Sequence, residues 1–446
     1  MKKLTFTLLL SAFALTTVLP SCSQKEDQVP VLLARKKVSG PENERALITE
    51  TYTKAKTALD KNPGDLQQYI NIASAFIAEG RVTGNNNYYG NAAVKMLNTV
   101  IESNTPNKDL VFQSLSLKSA VLLNMHQFTE ALKTAQQGVA MNSYNSGIYG
   151  ALVDAYVETG NYDEAVKACD KMISIRPDLR SYSRASYLRQ IFGENAGAIA
   201  AMKMAVDAGV PGEEQTEWAR TTLGDLYLNM GNTDSASIVY RSSLVYRPDY
   251  PYALIGMARV EKARKNYDAA IAHTKNALNQ LGESAFVSLL ADLYELKGDK
   301  EKAVDARKDV INLMEESMED EEKDALVKHN ISRELATAYM SAGKYDKALQ
   351  YALEDLKMRP SNIDANELAG WIYYRKGEYA TAKTYADKML VTKTKNATTL
   401  YKAGSIYARS GEQAKGDELI KSAMDINPSI DPMLLNQTKS LALTKL

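Results

Sequence analysis

Arg180 and Arg184 stand four residues apart, a spacing that puts two guanidinium groups on the same side of a helix. A planar guanidinium makes paired hydrogen bonds to a carboxylate, so the pair suits an anionic group. Tyr187 continues the same face, and Trp218 downstream offers an apolar wall. An aromatic anchor beside a polar guide is the composition of a binding hot spot. Asp154, Glu158 and Asp225 compete for the same arginines as partners in structural ion pairs. Residues for bond-making chemistry form no comparable set. His126, His273 and His329 lie far apart, with no neighbour at metal-ligand spacing. There is no glycine-rich phosphate loop, nucleophile elbow or zinc motif. The reading is therefore a non-enzyme that needs no cofactor and no metal.

The elements that must position these residues come from an internal period. Small residues recur at Ala131, Ala165, Ala198, Ala236, Ala270, Ala303, Ala348, Ala382 and Gly416, spaced 34, 33, 38, 34, 33, 45, 34 and 34 apart. Nine residues earlier lie Tyr156, Tyr227, Tyr294, Tyr339, Tyr373 and Tyr407. Five residues earlier lie Gly160, Gly193, Gly231, Gly298, Gly343, Gly377 and Gly411, and twelve later Pro177, Pro248, Pro360 and Pro428. Each position has a physical reason. Small residues let two helices approach, tyrosine fills space while keeping a wet end, glycine ends the first helix in the left-handed conformation, and proline stops the second.

This pattern resembles the tetratricopeptide repeat, whose period is 34 residues. The resemblance implies an all-α, right-handed superhelical solenoid of helix hairpins. About nine repeats are expected over 109–430, after a leading helix and an irregular first repeat over 42–108 and before a capping helix over 431–446. In that first unit Gly80–Asn87 reads as a loop longer than the family turn. A linear array is expected, each repeat touching only its neighbours. The family's first helices line a concave groove. Besides Arg180, Arg184, Tyr187 and Trp218, that frame puts Asp225, Arg259, Trp371 and Tyr374 on the groove, with inter-repeat packing as the alternative for the last two. Arg189 takes a position where the repeat favours tyrosine, so a buried partner is expected for it. The 45-residue spacing inserts eleven residues around Glu315–Lys328, with seven acids and one lysine from Glu315 to Asp324. A solvated, longer hairpin and a surface for a basic partner are both compatible with it.

The first residues address the chain. Lys2 and Lys3 precede an uncharged apolar run from Leu4 to Leu19, the layout of a secretory signal. Leu19-Pro20-Ser21-Cys22 resembles a bacterial lipobox, which implies a signal peptide over 1–21, acylation of Cys22 and a linker over 22–41. More than one acyl chain gives stable attachment to a bilayer. Ser23-Gln24-Lys25-Glu26-Asp27 resembles the export tag of Bacteroidota lipoproteins, which implies an outer-membrane lipoprotein exposed at the cell surface, a periplasm-facing one being the alternative. Cys169 then has no partner within the mature chain and reads as a small core residue. Removing Lys2 and Lys3 from 54 basic residues leaves 52 against 54 acids, or −2, so no basic stripe speaks for a nucleic-acid partner.

Two functions from different classes fit. One is an envelope scaffold that holds a protein or peptide in the concave groove. The other is a nutrient-capture lipoprotein that binds a glycan or small ligand. Lipidation is open to a direct check: Cys22→Ala is expected to leave uncleaved precursor or a soluble periplasmic product. A processed form of that variant still fractionating with membranes would contradict the anchor.

Overall fold

The computed structural model describes residues 29–35, 42–319 and 325–443. The expected signal, lipobox and export tag lie outside the described residues, as do residues 320–324 of the insertion. The chain divides after Val31 into a short first unit, of which 29–31 are described, and a second unit over Leu32–Leu446. Among the described residues there are 22 α-helices and no strand. The second unit begins with α1 (Glu42–Lys61). Ten hairpins follow: α2 (Leu66–Thr83) with α3 (Asn86–Glu102), α4 (Lys108–Asn124) with α5 (Phe128–Met141), α6 (Ser146–Glu158) with α7 (Tyr162–Ile175), α8 (Leu179–Ile191) with α9 (Asn195–Asp207), and α10 (Glu214–Asn229) with α11 (Thr233–Tyr246). The later five are α12 (Pro251–Ala263) with α13 (Tyr267–Gln280), α14 (Ser284–Lys297) with α15 (Lys300–Glu319), α16 (Ser332–Ser341) with α17 (Tyr345–Met358), α18 (Ile363–Lys376) with α19 (Tyr379–Met389), and α20 (Ala397–Arg409) with α21 (Gln413–Ile426). α22 (Pro432–Leu443) ends the unit. From α1 to α21 the helices pack in chain order, each on the next, which makes the unit a superhelical solenoid.

Local chemistry sets each hairpin. The period's small residues, Ala131 through Ala382, sit at the helix crossing with no more than 1% exposure. Large side chains could not pass there without opening the hairpin. The glycine of each turn has positive φ, from 72° at Gly231 to 98° at Gly411. In the two hairpins lacking glycine at that position the chain takes the same conformation on His126 (φ 55°) and Lys265 (φ 64°). The turn geometry is thus held even where a side chain makes it costly, by about 1–2 kcal/mol. Helix starts are capped: Asn145 accepts from the N–H of Gly147 and Ile148, and Asp178 forms a capping box with Ser181.

The array is not linear. Ten repeats exceed one superhelical turn, and residues about 200 positions apart, roughly six 34-residue repeats, touch across successive turns. The N–H of Asn330 donates to the carbonyl of Met125 at 3.1 Å, and Gln127 donates to the carbonyl of Lys328 at 2.7 Å. One repeat on, Asn362 donates to the carbonyl of Val157 (3.3 Å), and the N–H of Ile363 donates to the Tyr162 hydroxyl (2.8 Å). Further on, Asn195 donates to the carbonyl of Lys395 and Asn427 to that of Leu228, both at 3.3 Å, and Lys262 pairs with Asp431 at 2.7 Å. Arg359, 1% exposed, holds Asp355 through two hydrogen bonds of 2.7 Å and also bonds Glu158 of the turn before. Burial works against the Arg359 charge, but Asp355 and Glu158 outweigh it and raise its pKa.

Two further expectations change. α2 runs to Thr83 and α3 starts at Asn86, so the long loop shrinks to Gly84 and Asn85; Gly84 closes α2 in the left-handed conformation and Asn85 caps α3. The insertion lengthens α15, and the segment after residue 324 then docks on the preceding turn. There Val327 exchanges two hydrogen bonds with the Asn91 side chain, at 2.9 and 3.0 Å. Across this seam a Cβ on Gly160 would lie 2.5 Å from the backbone of Ser361, whereas a Cβ on Gly377 would meet nothing within 4 Å. Both glycines have positive φ, 78° and 83°. Gly377→Ala is therefore expected to cost about 1–2 kcal/mol, the left-handed penalty alone. Gly160→Ala adds overpacking and is expected to cost about 1–3 kcal/mol more. Urea melts of the two variants check this; equal losses would mean that the turns do not touch in solution.

Candidate functional site

The first helices of six consecutive repeats, α2 to α12, surround a cavity of about 780 Å³. α8 supplies Arg180, Ser183, Arg184 and Tyr187, and α10 supplies Trp218 and Asp225. The Asp178 cap fixes the start of α8 and so the direction of its first turn, from which Arg180 projects. Trp218 is 44% exposed and Tyr187 41%, both towards the cavity. The protein around the cavity removes enough water to push the Tyr187 hydroxyl well above its ordinary pKa.

The two arginines have different fates. Arg184 donates to both oxygens of Asp154, from Nε at 2.8 Å and from its terminal nitrogen at 2.5 Å, and also to the carbonyls of Gly150 and Arg180, each at 3.1 Å. Burial disfavours its charge, but Asp154 prevails and raises the pKa. Its guanidinium ties α8 to α6 and has little left to offer a ligand. Arg180 forms no ion pair among the described residues; its side-chain partner is the Gln215 amide at 3.4 Å. Burial lowers its pKa, and the positive charge of Arg81 lowers it further. Arg81, on α2, belongs to the same cavity, where the carboxylate facing it is Glu214 at 3.9 Å. Glu214 accepts a hydrogen bond from Tyr250, and burial raises its pKa. The cavity thus holds one guanidinium with no carboxylate partner among the described residues, Arg180, and one held only by a long ion pair, Arg81, beside a partly exposed indole.

Other sequence candidates fall elsewhere. Asp225 accepts from the Tyr240 hydroxyl at 2.6 Å and from Arg259 at 3.2 Å, so these three form a polar wall. Arg259 lines an adjoining cavity of about 330 Å³ that shares Asp225 and Asn229 with the main one. Trp371 and Tyr374 are not on the groove. They are 1% and 2% exposed, stacked at 4.6 Å between centroids, in a core cluster with Ile430 and Leu434. Trp371 occupies the repeat position of Tyr187, but the capping segment packs over that side of the last repeats. Glu158 is spent on Arg359 at the seam. Arg189 needs no buried partner: it is exposed and donates to the carbonyl of Gly197 at 3.1 Å. Cys169 is a buried thiol with its pKa pushed up to about 11 by burial. Sequence reasoning missed Arg81 because it fell in the stretch assigned to a loop; continuing α2 by one turn would have found it.

Models of the tetratricopeptide repeat match residues 122–190, 219–250 and 333–398. The chain therefore carries tetratricopeptide repeats. No curated protein matches it at a significant level. Among solved structures it is similar to a human IFIT1 dimer with PPP-AAAA, at 14% identity and TM-score 0.44, over 85% of this chain and 89% of that one. It is also similar to PilW, a type IV pilus biogenesis factor, at 14% identity and TM-score 0.39, over 46% of this chain and 94% of that one. A thermophilic TPR protein of Thermus thermophilus aligns at 20% identity and TM-score 0.36, over 48% of this chain and 99% of that one.

The contrast between the arginines can be measured in the protein alone. Arg184→Ala is expected to cost about 1.5–3 kcal/mol, the range for hydrogen bonds to a charged group, because it also leaves Asp154 unpaired. Arg180→Ala is expected to leave the melting curve in place. A comparable loss in Arg180→Ala would show that both arginines are structural.

Proposed function

We propose that this tetratricopeptide-repeat solenoid is a non-enzymatic scaffold lipoprotein of the bacterial envelope, and that it holds a segment of a partner protein in the cavity beside α8 and α10. The observation that carries the reading is the pairing of unspent recognition groups in one enclosed place. Trp218 and Tyr187 keep about two fifths of their surface exposed, Arg180 has no ion-pair partner among the described residues, and Arg81 has only the long 3.9 Å pair with Glu214. Leaving an indole uncovered forgoes much of the stabilisation its burial would give, which is of the order of 1.5–3 kcal/mol for large apolar side chains. A segment that lays an apolar side chain on Trp218 and a carboxylate on Arg180 recovers it.

Attachment to the outer membrane through acylated Cys22, with the repeats at the cell surface, is part of the same proposal and rests on the lipobox-like and tag-like residues. The second reading, capture of a glycan or other small nutrient, is favoured by the size of the cavity, since small-ligand sites span about 300–1,000 Å³. A panel of random peptides and a panel of oligosaccharides, each tested against the purified protein, separates the two. The scaffold reading expects peptide binders, with Trp218→Ala or Arg180→Ala weakening them by about 2 kcal/mol, a hot-spot loss. Saccharide binders alone would replace it with the second reading, and peptide binders indifferent to both substitutions would move the site elsewhere.

A further inference from the structure

We infer that the cavity is closed along its side in solution and receives its partner only end-on, as the free end of an extended chain, with Arg359 as the latch of the closing seam. This rests on the peptide-binding reading and narrows it to one kind of partner.

A solenoid groove is ordinarily reached from the side, between one turn and the next. Here that gap is filled at every repeat step where two turns overlap. His126 meets the carbonyl of Asn330 at 2.8 Å, the N–H of Ile363 meets Tyr162 at 2.8 Å, and Asn195 meets the carbonyl of Lys395 at 3.3 Å. Between these bonds the seam holds cavities of about 330 and 130 Å³ lined by both turns, but at the hairpin turns there is no slack. A methyl group on Gly160, Gly193 or Gly231 would come within 2.5–2.9 Å of the next turn. At these turns such approach leaves no passage for a chain, let alone a helix of about 10–12 Å diameter. At the far end, α22 packs on α14, and its Thr438 hydroxyl lies 3.0 Å from that of Tyr401, so it bridges α14 and α20 and narrows that mouth. What remains is a lumen whose main chamber, about 780 Å³, suits a few extended residues. A folded domain has no way in, and an internal segment held between two folded domains has none either.

Arg359 is the latch because its buried guanidinium serves both turns, Asp355 of its own and Glu158 of the one before. Removing it leaves Asp355 and Glu158 without the cation they share, the costly half of a broken buried pair.

Trp218 reports access without any knowledge of the natural partner, since the chain's other tryptophan, Trp371, is buried. The full-length protein is titrated with four quenchers, and a Trp218→Phe variant supplies the blank. These are acrylamide, a nitroxide at the end of a flexible Gly/Ser peptide, the same nitroxide mid-way along that peptide fused between two folded domains, and a nitroxide on the surface of one folded domain. Acrylamide and the free-ended peptide are expected to quench Trp218, and the other two are expected to lose that quenching. In Arg359→Ala, or in Glu158→Gln if the first loses its helical circular dichroism, the doubly tethered peptide is expected to gain access. Quenching of the intact protein by the doubly tethered peptide as strong as by the free-ended one overturns the closed lumen and leaves the peptide reading standing. Quenching by acrylamide but by neither peptide overturns both. Unchanged exclusion in a folded seam variant removes the latch role from Arg359.

Discussion

The contact between successive superhelical turns is the constraint on which the rest of this structure depends. In an open solenoid each repeat meets only the one before and the one after, and stability is a sum over neighbours. Here a second set of contacts joins residues about 200 positions apart, so the repeats of the first turn share their fate with those of the second. Terminal repeats can no longer be lost piecemeal. The segment after α21 is itself part of the bridge, through Asn427 to Leu228 and Asp431 to Lys262. Contacts of such separation also slow folding, because the loop must close before it is rewarded.

The polar character of the seam follows from what it joins. Hairpin turns and inter-repeat loops are the parts of a solenoid that expose backbone groups, and these are the parts that meet. A carbonyl covered by the next turn must be given a donor, and asparagine side chains from the facing loop are among the donors, Asn362 for Val157 and Asn427 for Leu228. The charges at Arg359, Asp355 and Glu158 lose water in the process, and their mutual pairing offsets that loss. His329, next to His126 in the same seam, shows the desolvation plainly: burial, with the neighbouring imidazole adding to it, holds its pKa down to about 4.

Much of this was legible in the sequence, for a reason that also marks the limit. The 34-residue period is written by positions inside one repeat, where helix geometry fixes who meets whom, so the hairpins, their left-handed turns and the cavity face of α8 could be read from Tyr187 and its neighbours. Whether a face is open depends on the rest of the chain. Trp371 and Tyr187 hold the same repeat position, yet one is core and the other faces the cavity, because the capping segment packs over the last repeats and not over the fourth. Arg184 could not be told from Arg180 either, since the i to i+4 spacing places both on one face but does not say that Asp154 reaches only the second. The seam left its mark in two places a period search does not weigh: ten repeats are more than one turn can hold, and Asp355 stands four residues before the arginine that precedes Pro360.

Register is what the polar seam contributes beyond stability. Apolar loops packed on apolar turns could slide by a residue at little cost, whereas a donor that must find one carbonyl cannot. The consequence reaches the lumen. A cavity of about 130 Å³ next to the main chamber is lined by Tyr187 and Gln190 from α8 and by Asp364 and Glu367 from α18, two elements of different turns. Asp364 keeps a raised pKa there, first through burial and then through Glu367 beside it. That juxtaposition of an aromatic ring with a carboxylate exists only at one alignment of the turns, the one that Asn362, Tyr162 and Arg359 hold. The chemistry a ligand meets deep in the lumen is therefore set by contacts on the wall that the ligand never touches.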